Sequence, residues 1–291
     1  MMLTAFLLGL VYVVLIAVLV AAGVGAITVA VIACLLFLVQ YFTSDKLALA
    51  SMGAHEVTAD RAAELGLQPL FAAIERLCIQ SDLPMPRVAI ADTPMPNAFA
   101  VGRSPATATV CVTTGLLRLL EPAELEGVLG HELTHVQNRD VMIMTIASFF
   151  ASIAAFIVQT GFFFGGGFGR DQRNDNGPSF AVVVVVAGVV YIISFLLLQA
   201  LSRYREFAAD RGSAIITGRP SALSSALLKI SGRMDQIPQR DLRAASSELA
   251  AFYIFPPKAK ASVAALFATH PPLEARLEAL AKLEAQLQGS R

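Results

Sequence analysis

The stretch that decides the reading is GVLGHELTHVQNRDVMIMTIASFF, residues 127–150. It holds His131, Glu132 and His135 in the order H-E-x-x-H, and an unbroken apolar run begins shortly after, at Val141. Glu121, Pro122 and a set of good helix formers precede the motif and predict a helix from about Pro122. On a helix of about 3.6 residues per turn the two histidines stand about 40° apart, so both imidazoles reach one ion. Glu132 lies about 100° from His131, on the flank of that face. A carboxylate there can take a proton from an attacking water and pass it to a leaving amine. A metal held by the histidines would acidify that water and polarise a scissile carbonyl. This is the H-E-x-x-H arrangement of zinc peptidases.

The apolar run is one of four. The chain has 291 residues, of which 56% are hydrophobic and only 15% charged, against about 25% charged in a typical soluble domain. With a mean hydropathy of +0.65, this predicts a membrane protein. Residues 1–43 carry no charge, too long for one span of about 20 residues and right for two. Spans over Leu3–Ala22 and Val24–Phe42 are predicted, turning at AAGVGA (21–26). A cleaved leader would be shorter and begin with basic residues. Span 3 is predicted over Val141–Phe164 and span 4 over Phe180–Leu201, joined by the glycine-rich loop 161–179. That loop lacks the Gly-Lys-Ser/Thr ending of a phosphate loop. None of the four runs contains Asp, Glu, Lys, Arg or His, so they read as anchor and wall rather than as a transport path.

Lys46, Arg139, Arg203, Arg205, Arg211 and Arg219 flank the runs on the side of the polar segments, against Arg170 and Arg173 on the other. The polar segments and both termini are therefore expected in the cytoplasm, in a multi-pass protein of the cytoplasmic membrane. A net charge of zero gives no basic surface for nucleic acid. Cys34, Cys78 and Cys111 are scattered and form no C-x-x-C pair, which suits a reducing compartment.

The chain thus divides into a hairpin at 1–43, a polar segment at 44–140, a second hairpin at 141–201 and a helical segment at 202–291. In the first polar segment, residues 58–84 predict one or two helices. RVAIAD (87–92), NAFAVG (97–102) and ATVCVTT (108–114) predict a small antiparallel sheet. The second polar segment predicts a helix over 202–217, a proline-rich break at 253–262 and an amphipathic helix from Leu273. The fold class is a mainly α membrane protein with four transmembrane helices and this small sheet.

A catalytic zinc takes three protein ligands and keeps one open position. His55, His270 and the carboxylates are available for the third. SRYREFAADRG (202–212) is the best candidate: Glu206 and Asp210, four apart, share a helical face. One carboxylate could bind zinc while the other accepts a hydrogen bond from a ligand histidine. Arg203 lies about 60° from Glu206 on the same side. Two spans separate Glu206 from His135, so both fall on one side of the membrane, each roughly 7–10 Å from the hydrocarbon edge. His270, in THPPLEAR, can donate to a developing oxyanion or simply open a helix. Arg276 can support the site or pair with a carboxylate. Asn138 and Asp140, directly after the motif, are open to a supporting role, and His55 has no partner motif.

HELTH, a two-span hairpin and SRYREFAAD, together with NAFAVG, VTTGLL and THPPLEARLEAL, resemble the HtpX-type membrane zinc metallopeptidases, relatives of the CAAX prenyl endopeptidases. The resemblance covers nearly the whole chain. It implies a cytosolic, gluzincin-like α+β protease domain with one zinc ion per chain on His131, His135 and Glu206, and Glu132 as general base. It further implies Asp210 as the partner of His131, and Asn97 and Ala98 as substrate contacts on an edge strand, where an extended peptide can add by main-chain hydrogen bonds. The expected substrates are proteins or peptides, in proteolytic quality control of misfolded membrane proteins under stress. A CAAX-type prenyl protease is the alternative enzyme, though those relatives have more spans. A catalytically inactive membrane scaffold is the alternative outside enzymes. The oligomeric state is not legible.

Overall fold

A computed structural model describes residues 26–164, 180–236 and 271–289, with isolated positions at 7, 10, 13, 14 and 16–18. Most of the expected first span, most of the glycine-rich loop, the proline-rich break and His270 lie outside the described residues. The chain forms two compact units, residues 1–44 with 143–201, and residues 45–142 with 202–291.

The elements in chain order are α1 (Ala26–Ser51), β1 (Ala54–Val57), α2 (Ala59–Glu64), α3 (Gln68–Ser81), β2 (Arg87–Ala91), β3 (Ala98–Val101), β4 (Thr109–Thr113), α4 (Thr114–Leu119), α5 (Pro122–Gln137), α6 (Asp140–Phe164), α7 (Phe180–Thr217), α8 (Pro220–Gln236) and α9 (Leu273–Gly289). Helix α7 does not stop at the end of the apolar run: SRYREFAADRGSAIIT contains no proline and continues it for four more turns. Among the described residues, Ala181–Thr217 is a helix long and apolar enough to cross a membrane.

In the first unit, α6 and α7 meet through buried Ala147, Ala154 and Ala187, small residues that let two apolar helices approach closely. Val182, Val185, Val189, Ile192 and Leu196 on α7 are exposed.

The sheet of the second unit is mixed, which corrects the expectation of an antiparallel one. Its order is β1-β2-β4-β3. β2 and β4 run parallel, from Arg87 opposite Thr109 to Ala91 opposite Thr113. β3 pairs antiparallel with β4, and β1 antiparallel with β2. The physical reason lies in β4. TVCVT is buried at every position, as a central strand flanked on both sides must be, so it takes the middle and displaces β3 to the edge. The proline-bearing linker between β2 and β3 (Pro94, Pro96) makes no tight hairpin. β1 was not predicted: its four residues hold a single β-branched side chain, and pairing with β2 alone makes it a strand.

Helix α5 runs through the centre of this unit, and every residue from Gly127 to Val136 is buried. Leu129 and Leu133 join Ile74, Leu77, Val110, Leu116, Leu227, Ile230 and Leu280 in the main core. The other face of α5 packs closely on α7. A Cβ at Gly212 would overlap the Thr134 side chain, so that side chain lies directly against the α7 backbone where only glycine fits. One residue on, Ser213 Oγ donates to the Gly127 carbonyl at 2.6 Å. At the start of α5, buried Glu124 accepts from the Glu121 N–H (2.9 Å), Ser225 Oγ (2.6 Å) and Lys229 Nζ (2.8 Å), which fixes the helix end to α8.

Candidate metal centre

The α5–α7 contact sets the site. His131 and His135 project from α5, Glu206 from α7, and all three are buried. Their donor atoms converge: Nε2 of His131 and Nε2 of His135 are 3.1 Å apart. Glu206 Oε2 is 3.5 Å from His131 Nε2, and Oε1 is 3.5 Å from His135 Nε2. Zinc bonds of 2.0–2.1 Å in a tetrahedron place neighbouring donors about 3.3 Å apart, so the spacing fits one zinc ion.

The outer nitrogens explain why the lone pairs point inward. His131 Nδ1 is 2.9 Å from Asp210 Oδ1, and His135 Nδ1 is 2.7 Å from Asp140 Oδ2. With His135 Nδ1 bonded to Asp140 and Asp210 set beside His131 Nδ1, the two Nε2 atoms are left facing each other and Glu206. Such a cluster calls for a cation. Formal charge agrees: Glu206, Asp210 and Asp140 face two guanidiniums, Arg276 and Arg205, and Glu132 adds a second net negative charge whenever it ionises, charge that a divalent ion would neutralise.

Ionisation follows the same logic. Burial would lower the pKa of His131, but the bonds to Asp210 and Glu206 outweigh it and lift the imidazole to about 10, so a proton there stands in for the metal. His135 is lowered, chiefly by burial. Glu132 is pushed up to about 7, above all by burial and then by the Glu206 charge, partly offset by His131, the Ala100 N–H and Arg276. A carboxyl poised near neutrality suits proton transfer in both directions.

Arg276 is completely buried and reaches from α9 to Asp210 and Glu206. Arg203, expected beside Glu206, has no ion pair among the described residues; Arg205 instead approaches Asp140 at 3.3 Å. Asn97 is fully buried, and its backbone turns to β4: its N–H donates to Thr113 Oγ1 at 2.9 Å and its carbonyl accepts from Thr113 N–H at 3.0 Å. By strand alternation Ala98 and Ala100 then face the outer edge of β3, where the Ala100 N–H donates to the Glu132 carboxylate. Sequence reasoning left Asp140 open and missed Arg205 altogether.

Two histidines and a glutamate gathered on two helices, with a second glutamate beside the first histidine, form the donor set and base of a metallopeptidase. Known proteins agree. Residues 67–284 match Peptidase family M48. The chain is 52% identical over 291 residues to "Protease HtpX homolog" of Moorella thermoacetica, covering 100% of this chain and 95% of that one. It is 47% identical over 287 residues to "Protease HtpX homolog 2" of Methanosarcina acetivorans, covering 99% and 95%. The chain belongs to peptidase family M48 and is a metallopeptidase. Among solved structures, that of S. mikatae Ste24p shares the fold, with a TM-score of 0.54 at 17% identity over 96% of this chain. This chain spans 65% of that protein's length.

Proposed function

We propose that this metallopeptidase is a zinc-dependent endopeptidase of the cytoplasmic membrane that works on the cytosolic side and degrades misfolded membrane proteins. The observation that carries the reading is the convergence of His131 Nε2, His135 Nε2 and Glu206 on one point, inside a ring of charges short of one divalent cation. His131, His135 and Glu206 hold the zinc, one ion per chain. When bound, zinc acidifies a water and polarises the scissile carbonyl. Glu132 takes the proton from the attacking water and delivers it to the leaving amine. Asp210, with Arg276 behind it, fixes the tautomer of His131. Arg203 stays outside this set.

The place of β3 as the outer strand of the sheet supports an extended substrate. Ala98 lies along that edge beside Glu132, whose carboxylate takes the Ala100 N–H, which suits a protease that reads backbone more than side chains. Asn97 then acts by holding the end of β3 on β4. His270 is assigned to the oxyanion that forms on the attacked carbonyl.

Four charge-free apolar runs and six cationic residues beside the polar segments, against two in the loop 161–179, support a four-span protein with its soluble parts in the cytoplasm. Four spans are few for the walls of a large intramembrane chamber, which disfavours a prenyl-specific reading. The intact donor set disfavours a scaffold.

The test is cleavage of an unfolded model protein by the purified chain in detergent. Activity is expected to vanish in Glu132→Gln and on chelation, and to return with zinc in the wild type. Cleavage that persists in Glu132→Gln overturns the mechanism. A prenylated peptide cleaved in strong preference to its unmodified form would move the substrate class.

A further inference from the structure

His131 and His135 each have a buried carboxylate beside Nδ1, although only one of the two was legible. His131 Nδ1 faces Asp210, which Arg276 grips. His135 Nδ1 faces Asp140 at 2.7 Å, and Arg205 Nε lies 3.3 Å from the same Asp140 oxygen, Oδ2. Asp140 is 1% exposed, so its carboxylate is no surface charge that happens to pass by.

The route of the chain makes this contact. Helix α5 ends at Gln137, and the Asn138 N–H still bonds to the Thr134 carbonyl at 2.9 Å. Arg139 then adopts a left-handed conformation, with φ at 55°, which few side chains other than glycine and asparagine favour. That turn resets the chain, α6 starts at Asp140, and the Asp140 carboxylate comes back over the last turn of α5 onto His135. Arg205 arrives from α7, one residue before Glu206.

We propose that Asp140, aimed by the turn at Arg139 and braced by Arg205, is a positioning residue for His135, holding its Nδ1–H so that Nε2 presents a lone pair to the metal. The dipeptide Arg205-Glu206 thus serves the centre twice, with Glu206 as donor and Arg205 as brace for the opposite ligand. The inference rests on His135 being a zinc ligand.

The experiment uses the full chain in detergent, measuring zinc affinity by competition with a chromophoric chelator and the visible spectrum of the cobalt-substituted protein. Asp140→Asn is expected to weaken zinc binding by about 10–100-fold and to shift the cobalt bands. A merely structural role would leave the spectrum of the loaded protein unmoved. Asp140→Glu is expected to recover part of the affinity, Arg205→Gln to lose less than Asp140→Asn, and Arg139→Gly to behave as wild type. Wild-type affinity and spectrum in Asp140→Asn overturn the inference. If Asp140→Asn does not fold, Arg205→Gln decides, and an unchanged affinity and spectrum there overturn it. His135→Ala separates the two readings: loss of zinc there with none in Asp140→Asn sinks only the positioning role, whereas wild-type zinc binding in His135→Ala sinks the ligand assignment itself.

Discussion

Arg276 closes a two-point ion pair on Asp210: Nε donates to Oδ2 at 2.8 Å and Nη2 to Oδ1 at 2.6 Å, and neither side chain reaches solvent. The pair joins α9 to α7 across 66 residues of sequence, and Nη1 also lies 3.6 Å from Glu206 Oε2. One guanidinium therefore fixes both the proposed third donor and the carboxylate that orients the first.

Removing that guanidinium should be costly. Arg276→Met leaves the buried Asp210 with only His131 beside it, and breaking comparable buried pairs costs about 3–5 kcal/mol of stability. Arg276→Lys should not rescue it, because an ammonium cannot form the planar fork that meets both Asp210 oxygens. Thermal melting and zinc content of the purified variants check this. A wild-type Tm with full zinc in Arg276→Met would show that the pair carries little.

Gly212→Ala tests the helix contact under the site. The added Cβ would sit 2.3 Å from Thr134 Cγ2 and 2.4 Å from Oγ1, within the HELTH turn itself. The helices must part by a fraction of an ångström, which moves Glu206 away from the histidines. Overpacking of this kind costs about 1–3 kcal/mol, and peptidase activity should fall with it. Thr134→Ala in the same chain removes the two nearest atoms, leaving Thr134 Cβ at 2.9 Å, and should restore part of the loss. Additive effects in the double-mutant cycle would mean the two positions do not couple.

How much of this was legible depends on how local each feature is. The donors of α5 were legible because one helical repeat puts His131 and His135 on one face. The run from Val141 to Phe164 was legible as a helix because no charged residue, proline or turn signal interrupts it, and α6 covers Asp140–Phe164. The resemblance set Asp210 against His131, but nothing in the sequence set Asp140 against His135. The angle around α7 puts Arg203 and Glu206 on one side, yet it carries no information about where the α5–α6 junction lies, and Arg205 meets Asp140 there. Asp140 itself depends on a left-handed arginine, for which the sequence NRD gives no signal. The sheet order was hidden for a similar reason: alternation marks a strand but does not name its neighbours.

Glu124 offers a stability test away from the metal. Burial alone would raise its pKa, but the bonds from Lys229, Ser225 and the Glu121 N–H outweigh that and hold it below the ordinary value of 4.5. A carboxylate with a depressed folded-state pKa contributes stability that is fully present above 4.5 and is lost as pH falls through the lowered value. Glu124→Ala should therefore destabilise the chain by about 1–3 kcal/mol at pH 7, and the gap from wild type should close in acid. Zinc affinity should stay unchanged, since none of the Glu124 bonds touches the donors. An equal gap at pH 3.5 and pH 7 would contradict the charge-based account.

The last prediction concerns metal and pH together. In the metal-free chain His131 is lifted to about 10, from 6.5, because Asp210 and Glu206 outweigh its burial. A group whose folded-state pKa is raised contributes stability that is fully present below its unfolded value and is lost as pH rises through the folded one. The metal-free protein should therefore weaken between about pH 7 and pH 10, the window set by His131. His135, lowered by burial, is already neutral there and adds nothing to the slope. Zinc reverses the sign. It needs a deprotonated imidazole, so it displaces the His131 proton and binds more tightly as pH rises. The Tm difference between zinc-loaded and metal-free protein should grow steadily from pH 7 to pH 9, and zinc binding near pH 8 should release about one proton, measurable by calorimetry in buffers of different ionisation enthalpy. A Tm difference that stays flat over that range would mean His131 is already neutral without metal, and that the carboxylates around it are balanced by some other charge.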